Sequence, residues 1–397
     1  MGSNYKQIGD CIQLVKTKNR DGKVSNLLGI NIDKFFMPSV ANVIGTDLTA
    51  YRIVSKGQFA CNRMHVGRDY RIPIALSKSE EEFLVSPAYD VFEIKNTNEL
   101  LPEYLMMWFS RKEFDRNAWF YTDADVRGGL PWSSFWEIKL PVPSLEKQQE
   151  IVNEYKTIQN RIKLNENLIQ KLEETAQAIY RRWFVEFEFP NEEGLPYKST
   201  SGEMVWCEEL EKEIPVGWDN GTLKDISVCL DYKRRPLSAE DRIDFKGKIP
   251  YYGAMGIVDY VKDYIFDGEY LLFSEDGVNV INEKGNPSVF LINEKFWVNN
   301  HTHVLEGTQN YSTRFLYSIL KTVNVSDIVT GAAQPKINQE NMNSINILKP
   351  KINSVCNFNE KVNPIFDRIQ LKLKENQKLS EMKDLLLAKI TKIKPKI

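Results

Sequence analysis

The sequence predicts an α+β chain in which two globular α/β units are each followed by a long heptad helix, a pseudo-twofold internal repeat. Three observations predict this. First, Ile151, Tyr155, Ile158, Ile162, Asn165, Ile169, Leu172, Ala176, Ile179 and Trp183 succeed one another at alternating steps of four and three. That spacing is the seam of a long helix packed on another helix. Second, a shift of 207 residues returns the seam as Phe358, Val362, Ile365, Ile369, Lys372, Asn376, Leu379, Lys383, Leu386 and Ile390. Third, Ile138-Lys-Leu-Pro-Val-Pro143 lies at the same offset from Ile345-Asn-Ile-Leu-Lys-Pro350, and Ile8-Gly-Asp-Cys-Ile12 is echoed by Leu223-Lys-Asp-Ile226.

The elements follow in order. Residues 1–144 make the first globular unit, with β-like runs at Asp47 to Val54 and Phe83 to Ile94. Pro102, a favourable first-turn residue, opens a helix through Phe109. The aromatic runs Trp119-Phe-Tyr121 and Trp132 to Trp136 are expected in the core. Residues 145–187 form the first long helix, with Ser144 as its cap. Residues 188–214 carry a net charge of −6 with Gly194 and Pro196, and read as a connector with little core of its own. Residues 215–352 make the second unit, with strands at Ile249 to Gly253, Tyr270 to Ser274, Ser288 to Ile292 and His303 to Leu305, then a helix from Arg314 to Leu320. Residues 353–391 form the second long helix, and the basic tail beyond it is expected to fray.

Composition narrows the function. A chain of 397 residues that is 42% hydrophobic and 27% charged has material for two cores. No apolar run approaches membrane-spanning length, and Met1 to Asp10 lacks the apolar stretch of a signal peptide. Five scattered cysteines read as reduced thiols, so a cytoplasmic location is expected. The net charge of −2 means that any DNA-binding face is local and not a property of bulk charge.

Catalytic signatures are missing. There is no phosphate-cradling glycine loop followed by Lys-Ser/Thr, no Gly-x-Gly-x-x-Gly after a strand, and no Asn/Asp-Pro-Pro-aromatic motif of adenine methyltransferases. His301 and His303 share one face if they lie in a strand, but a metal site would need a further ligand that nothing signposts. No metal site is therefore expected, and a binding protein is favoured over an enzyme. Clusters of Lys, Arg, Asn and Gln can grip phosphates and read purine edges. The candidates for DNA contact are Lys16, Lys18, Arg20, Arg63, Arg68 and Arg127 in the first unit. In the second they are Lys233, Arg234, Arg235, Asn300, His301, Gln334 and Lys336. Glycine beside Arg127, and Gly331 before Gln334-Pro-Lys336, would let backbone approach a ligand closely. The helix-pairing candidates are Ile151, Tyr155, Ile158, Ile162, Asn165, Ile169, Leu172, Val362, Ile365, Ile369, Asn376, Leu379 and Leu386.

Two variable units, each followed by proline punctuation and a long helix, resemble the specificity (S) subunit of type I restriction–modification enzymes. The stretches that carry the resemblance are Ile138 to Gln149, Arg182-Trp-Phe-Val-Glu-Phe187, Ile214-Pro-Val-Gly-Trp218 and Gly331-Ala-Ala-Gln-Pro-Lys-Ile337. The resemblance implies that each globular unit is a target recognition domain reading one half of a bipartite, asymmetric double-stranded DNA target. It implies two long helices packed antiparallel as a coiled-coil spacer, with methylation subunits docked on them and restriction subunits joining. It also implies that S-adenosylmethionine, ATP and Mg belong to those partners and that this chain binds no cofactor. The rival expectation is a coiled-coil adaptor with two ligand-binding domains.

Overall fold

The computed structural model describes residues 5–39, 45–64, 66–123, 128–331 and 334–390. The chain divides into two compact units, one of residues 1–164 with 376–397 and one of residues 165–375. The first unit is built on a four-stranded antiparallel sheet of β1 (Ile12–Val15), β2 (Phe59–Cys61), β3 (Ile74–Leu76) and β4 (Asp90–Ile94), in the order β1-β4-β2-β3. Phe59 and Phe92 are paired across strands and stack at 5.0 Å, anchoring the sheet to its core. Helix α1 (Pro102–Phe109) packs against it at β3, and α2 (Lys112–Phe120) packs on α1.

The aromatic run at the end of α2 departs from expectation. Phe114 and Ala118, one turn apart, face the core, whereas Trp119, Phe120 and Tyr121 are exposed. A helix advances ~100° per residue, so adjacent rings cannot share one buried face. Phe135 is fully buried as expected, but Trp136 is exposed.

The second unit holds a six-stranded sheet of β5 (Ser227–Cys229), β6 (Lys246–Gly253), β7 (Gly256–Val261), β8 (Phe266–Ser274), β9 (Val289–Val298) and β10 (Thr302–Gly307). Its order is β5-β10-β8-β9-β6-β7, with β6 and β9 parallel and the other neighbours antiparallel. The helix Thr313–Leu320 buries seven of its residues beneath this sheet. Residues 188–214 are part of this unit and not a bare connector. Met204–Cys207 and Lys212–Pro215 form a hairpin, Cys207 and Ile214 are buried, and Phe189 stacks on Trp218 at 4.6 Å. The acidic residues mask an apolar set that is only sparsely spaced in sequence.

The repeat is visible in the hydrogen bonds that close each unit. Tyr5–Gln7 pairs with Lys139–Pro141, and Asp219–Thr222 pairs with Asn346–Lys349. The Ile8 N–H donates to Ile138 O at 2.8 Å, and the Leu223 N–H donates to Ile345 O at 2.9 Å.

The long helices span Leu145–Phe184 and Ile352–Lys389. They are not domains of their own, because each is shared between the two units. Ile151 and Val152 lie with Leu387 and Ile390 in the first unit's core. Ala176, Tyr180, Trp183 and Phe184 lie with Val355, Phe358, Val362 and Phe366 in the second unit's core. The start of one helix thus meets the end of the other, so the pairing is antiparallel. Every helix-pairing candidate named from the sequence is buried or half-buried.

Candidate nucleic-acid interface

In the first unit the candidate cations separate into two kinds. Lys16, Lys18 and Arg20 are exposed, on a turn held by the buried Asn19, which donates to Val24 O at 2.8 Å and accepts from the Val24 N–H at 3.2 Å. Arg68 is exposed and pairs with its neighbour Asp69 at 2.7 Å. Arg63 is committed internally. It pairs with Asp90 at 2.8 Å, lies over the Trp132 ring at 4.3 Å and donates to Leu130 O. We therefore read Arg63 as a brace and not a contact. Arg127 lies outside the described residues.

Glycine beside Arg127 does something other than expected. Gly128 packs against Gly67, whose N–H donates to Gly128 O at 2.8 Å. A Cβ on Gly128 would come within 2.6 Å of Gly67 Cα, so these glycines allow two backbones to touch each other and not a ligand. At Gly331, with φ of +84°, a Cβ would likewise come within 2.4 Å of this chain's own Gln334 O.

In the second unit, candidates from three distant stretches converge on Glu275 and Asp276 at the end of β8. Lys336 Nζ lies 3.0 Å from Glu275 Oε1, and His301 Nδ1 lies 2.8 Å from Asp276 Oδ2. Backbone bonds fix the same neighbourhood: the Glu275 N–H donates to His301 O at 3.0 Å, the Ile337 N–H to Glu275 O at 2.8 Å and the Gly277 N–H to Pro335 O at 3.1 Å. Asn300, His301, Gln334, Lys336, Lys233 and Arg235 are all exposed around this point. Arg234 is not. Its guanidinium pairs with Asp231 at 2.9 Å and Glu275 at 3.1 Å, and donates to the carbonyls of Asn300 and Thr302 at 3.3 and 2.9 Å. The structure moves Arg234 from the candidate contact set into the support beneath it.

The sequence did not single out Asp231, Glu275 or Asp276. His303 also departs from expectation: it lies in β10 and is buried, whereas His301 sits in the turn before that strand. His303 Nδ1 faces Asp231 Oδ2 at 2.5 Å and its Nε2 faces Ile337 O at 2.9 Å. Burial pushes the Asp231 and Glu275 carboxyls up. Around Asp231 the hydrogen bonds from His303 and the Val304 N–H with the nearby Arg234, and around Glu275 those from Lys336 and Arg234, together outweigh burial and hold both carboxyls below the ordinary range. Burial pushes the neighbouring Cys229 thiol up to about 12.

Cys229, Asp231 and His303 bring three metal-ligand types within 4.8 Å of one another. The carboxylate is already occupied, however. Its Oδ2 accepts from both His303 and Arg234, and its Oδ1 accepts from the Val304 N–H at 2.9 Å. A fixed guanidinium so close also opposes a second cation. We read the group as an ion-pair cluster.

The chain is thus a duplicated α+β protein with antiparallel long helices and, in its second unit, loops that expose cations and amides. The family model described as the type I restriction modification DNA specificity domain matches residues 73–174 and 215–391. The chain therefore belongs to the family of type I restriction–modification specificity subunits. Among its relatives is a putative type I restriction enzyme specificity subunit, S.HindORF215P of Haemophilus influenzae, 33% identical over 148 residues, an alignment spanning 37% of each chain. The MjaIX specificity subunit of Methanocaldococcus jannaschii is 26% identical across 73% of this chain and 68% of its own. The HindI specificity subunit of H. influenzae is 22% identical across 98% of this chain and 99% of its own. The crystal structure of a type I restriction–modification S subunit from M. genitalium shares the fold, with a TM-score of 0.53 at 15% identity over 97% of this chain and 95% of that one. Among the described residues, no helix is long and apolar enough to cross a membrane.

Proposed function

We propose that this chain supplies DNA sequence specificity to a type I restriction–modification complex, each unit reading one half of a bipartite, asymmetric double-stranded target. The observation that carries this reading is the match of one family to both halves of a chain whose repeat closes with equivalent hydrogen bonds. Equivalent closure beneath different sheets, four-stranded in one unit and six-stranded in the other, supports two readers of different half-sites. The paired helices are the spacer and the docking surface for methylation subunits, which restriction subunits then join. The chain is a non-catalytic, cytoplasmic component. S-adenosylmethionine, ATP and Mg belong to the partner subunits, in keeping with the missing catalytic motifs.

Selection of duplexes from a randomised library by the complex of this chain with its methylation subunit tests the proposal. Enrichment of two short half-sites around an unread spacer is expected. Enrichment of one contiguous motif, or none, contradicts it.

A further inference from the structure

We propose that the cluster of half-buried Asp231, Arg234 and Glu275 around the buried His303 is a positioning device, so that residues which never touch DNA set specificity at the second unit's half-site. This rests on the proposed reading of that unit as a DNA reader. Four segments remote in sequence, around residues 231–235, 275–277, 299–303 and 334–337, carry or adjoin the exposed candidates. The cluster ties all four together.

The ties form a chain of hydrogen bonds and ion pairs running from the interior outward. His303, 1% exposed, holds Asp231; Asp231 holds Arg234; Arg234 holds Glu275 by one carboxylate oxygen; the other oxygen holds Lys336, whose side chain is 47% exposed. Each link also fixes backbone. Arg234 caps the Asn300 and Thr302 carbonyls, and His303 Nε2 grips Ile337 O directly after Lys336. Burying this many charges is a poor route to stability, since well-packed apolar side chains would do as well. It is a good route to geometry, because directional charge-assisted bonds define where each loop stops. Bidentate base readers tolerate little displacement before a hydrogen bond is lost.

The test uses the complete complex and duplexes carrying single substitutions in either half-site. Arg234→Met removes the central link, Arg234→Lys restores one charge, and His303→Gln keeps a polar partner for Ile337 O. Arg234→Met is expected to leave discrimination at the first half-site intact and to lose about tenfold at the second, the order of one base-pair contact. Arg234→Lys is expected to recover part of that loss. If Arg234→Met fails to fold, His303→Gln carries the same expectation. Undiminished discrimination at the second half-site in a folded variant overturns the proposal, and so does equal loss at both half-sites. Lys336→Ala, run in parallel, separates the two ways to fail. If Lys336→Ala alters the second half-site while Arg234→Met does not, positioning is wrong and the reading of the unit stands. If neither alters it, the reading falls and the positioning claim with it.

Discussion

The phenol of Tyr104 donates a hydrogen bond to Pro141 O at 3.1 Å, and 207 residues later Tyr311 donates likewise to Pro350 O, the counterpart of Pro143, at 3.2 Å. Tyr104 ties α1, and Tyr311 ties the residues just before the helix Thr313–Leu320, to the proline stretch that launches a long helix. A buried neutral hydrogen bond contributes ~1 kcal/mol, and a carbonyl left unpaired costs somewhat more. Tyr104→Phe and Tyr311→Phe should each destabilise the unit that contains them by ~1–2 kcal/mol. Urea unfolding measures this as a lower midpoint at constant slope; no shift in either variant contradicts it.

Gln148 explains the first proline–helix junction and its divergence in the second. Fully buried, it accepts from the Leu101 N–H at 2.9 Å and donates to Glu99 O and Pro143 O, both at 2.8 Å. Its equivalent is Val355, also fully buried, which fills the matching place with methyl groups. Gln148→Val should therefore cost ~2–4 kcal/mol despite the precedent, because three backbone groups lose their partner. A thermal midpoint equal to that of the parent would contradict it.

Phe358 is the point where the second helix enters a shared core, with ring centroids of Tyr180, Trp183, Phe184 and Phe315 all within 6.0 Å. Phe358→Ala should cost ~3–5 kcal/mol. The loss should appear first in hydrogen exchange of residues 169–184 and 355–369; unchanged protection there would show that the seam does not hold these helices.

Asp231 and Glu275 titrate below their ordinary values in the folded chain. A depressed carboxyl contributes stability that is present above its unfolded pKa, about 4, and lost as pH falls through the folded value. The destabilisation caused by Asp231→Asn should thus be largest near neutrality and should shrink as pH drops below about 4. A gap that widens on acidification contradicts the sign.

Much of the architecture was legible because it is local or periodic. Heptad spacing and a constant offset of 207 are properties of the string, and they located both helices to within a few residues. The misread parts depended on distance in space. Asp231 and His303 lie 72 positions apart, and nothing near either one announces the other. Arg234 looked like a surface cation inside Lys-Arg-Arg until its carboxylate partners came into view. Gly128 was readable as a place of close backbone approach, but not as one that touches Gly67. Residues 188–214 were misjudged because net charge hid Phe189, Cys207 and Ile214.

The central claim, that each unit reads its own half-site, is tested most directly by a chimaera. Residues 215–344 would be replaced by the equivalent segment of a relative with a different target, leaving both long helices intact. Methylome sequencing of cells expressing the chimaera with the methylation subunit should show one half-site changed to the relative's, with the other half-site and the spacer length retained. A motif altered in both halves, or in neither while methylation persists, would contradict independent reading by the two units.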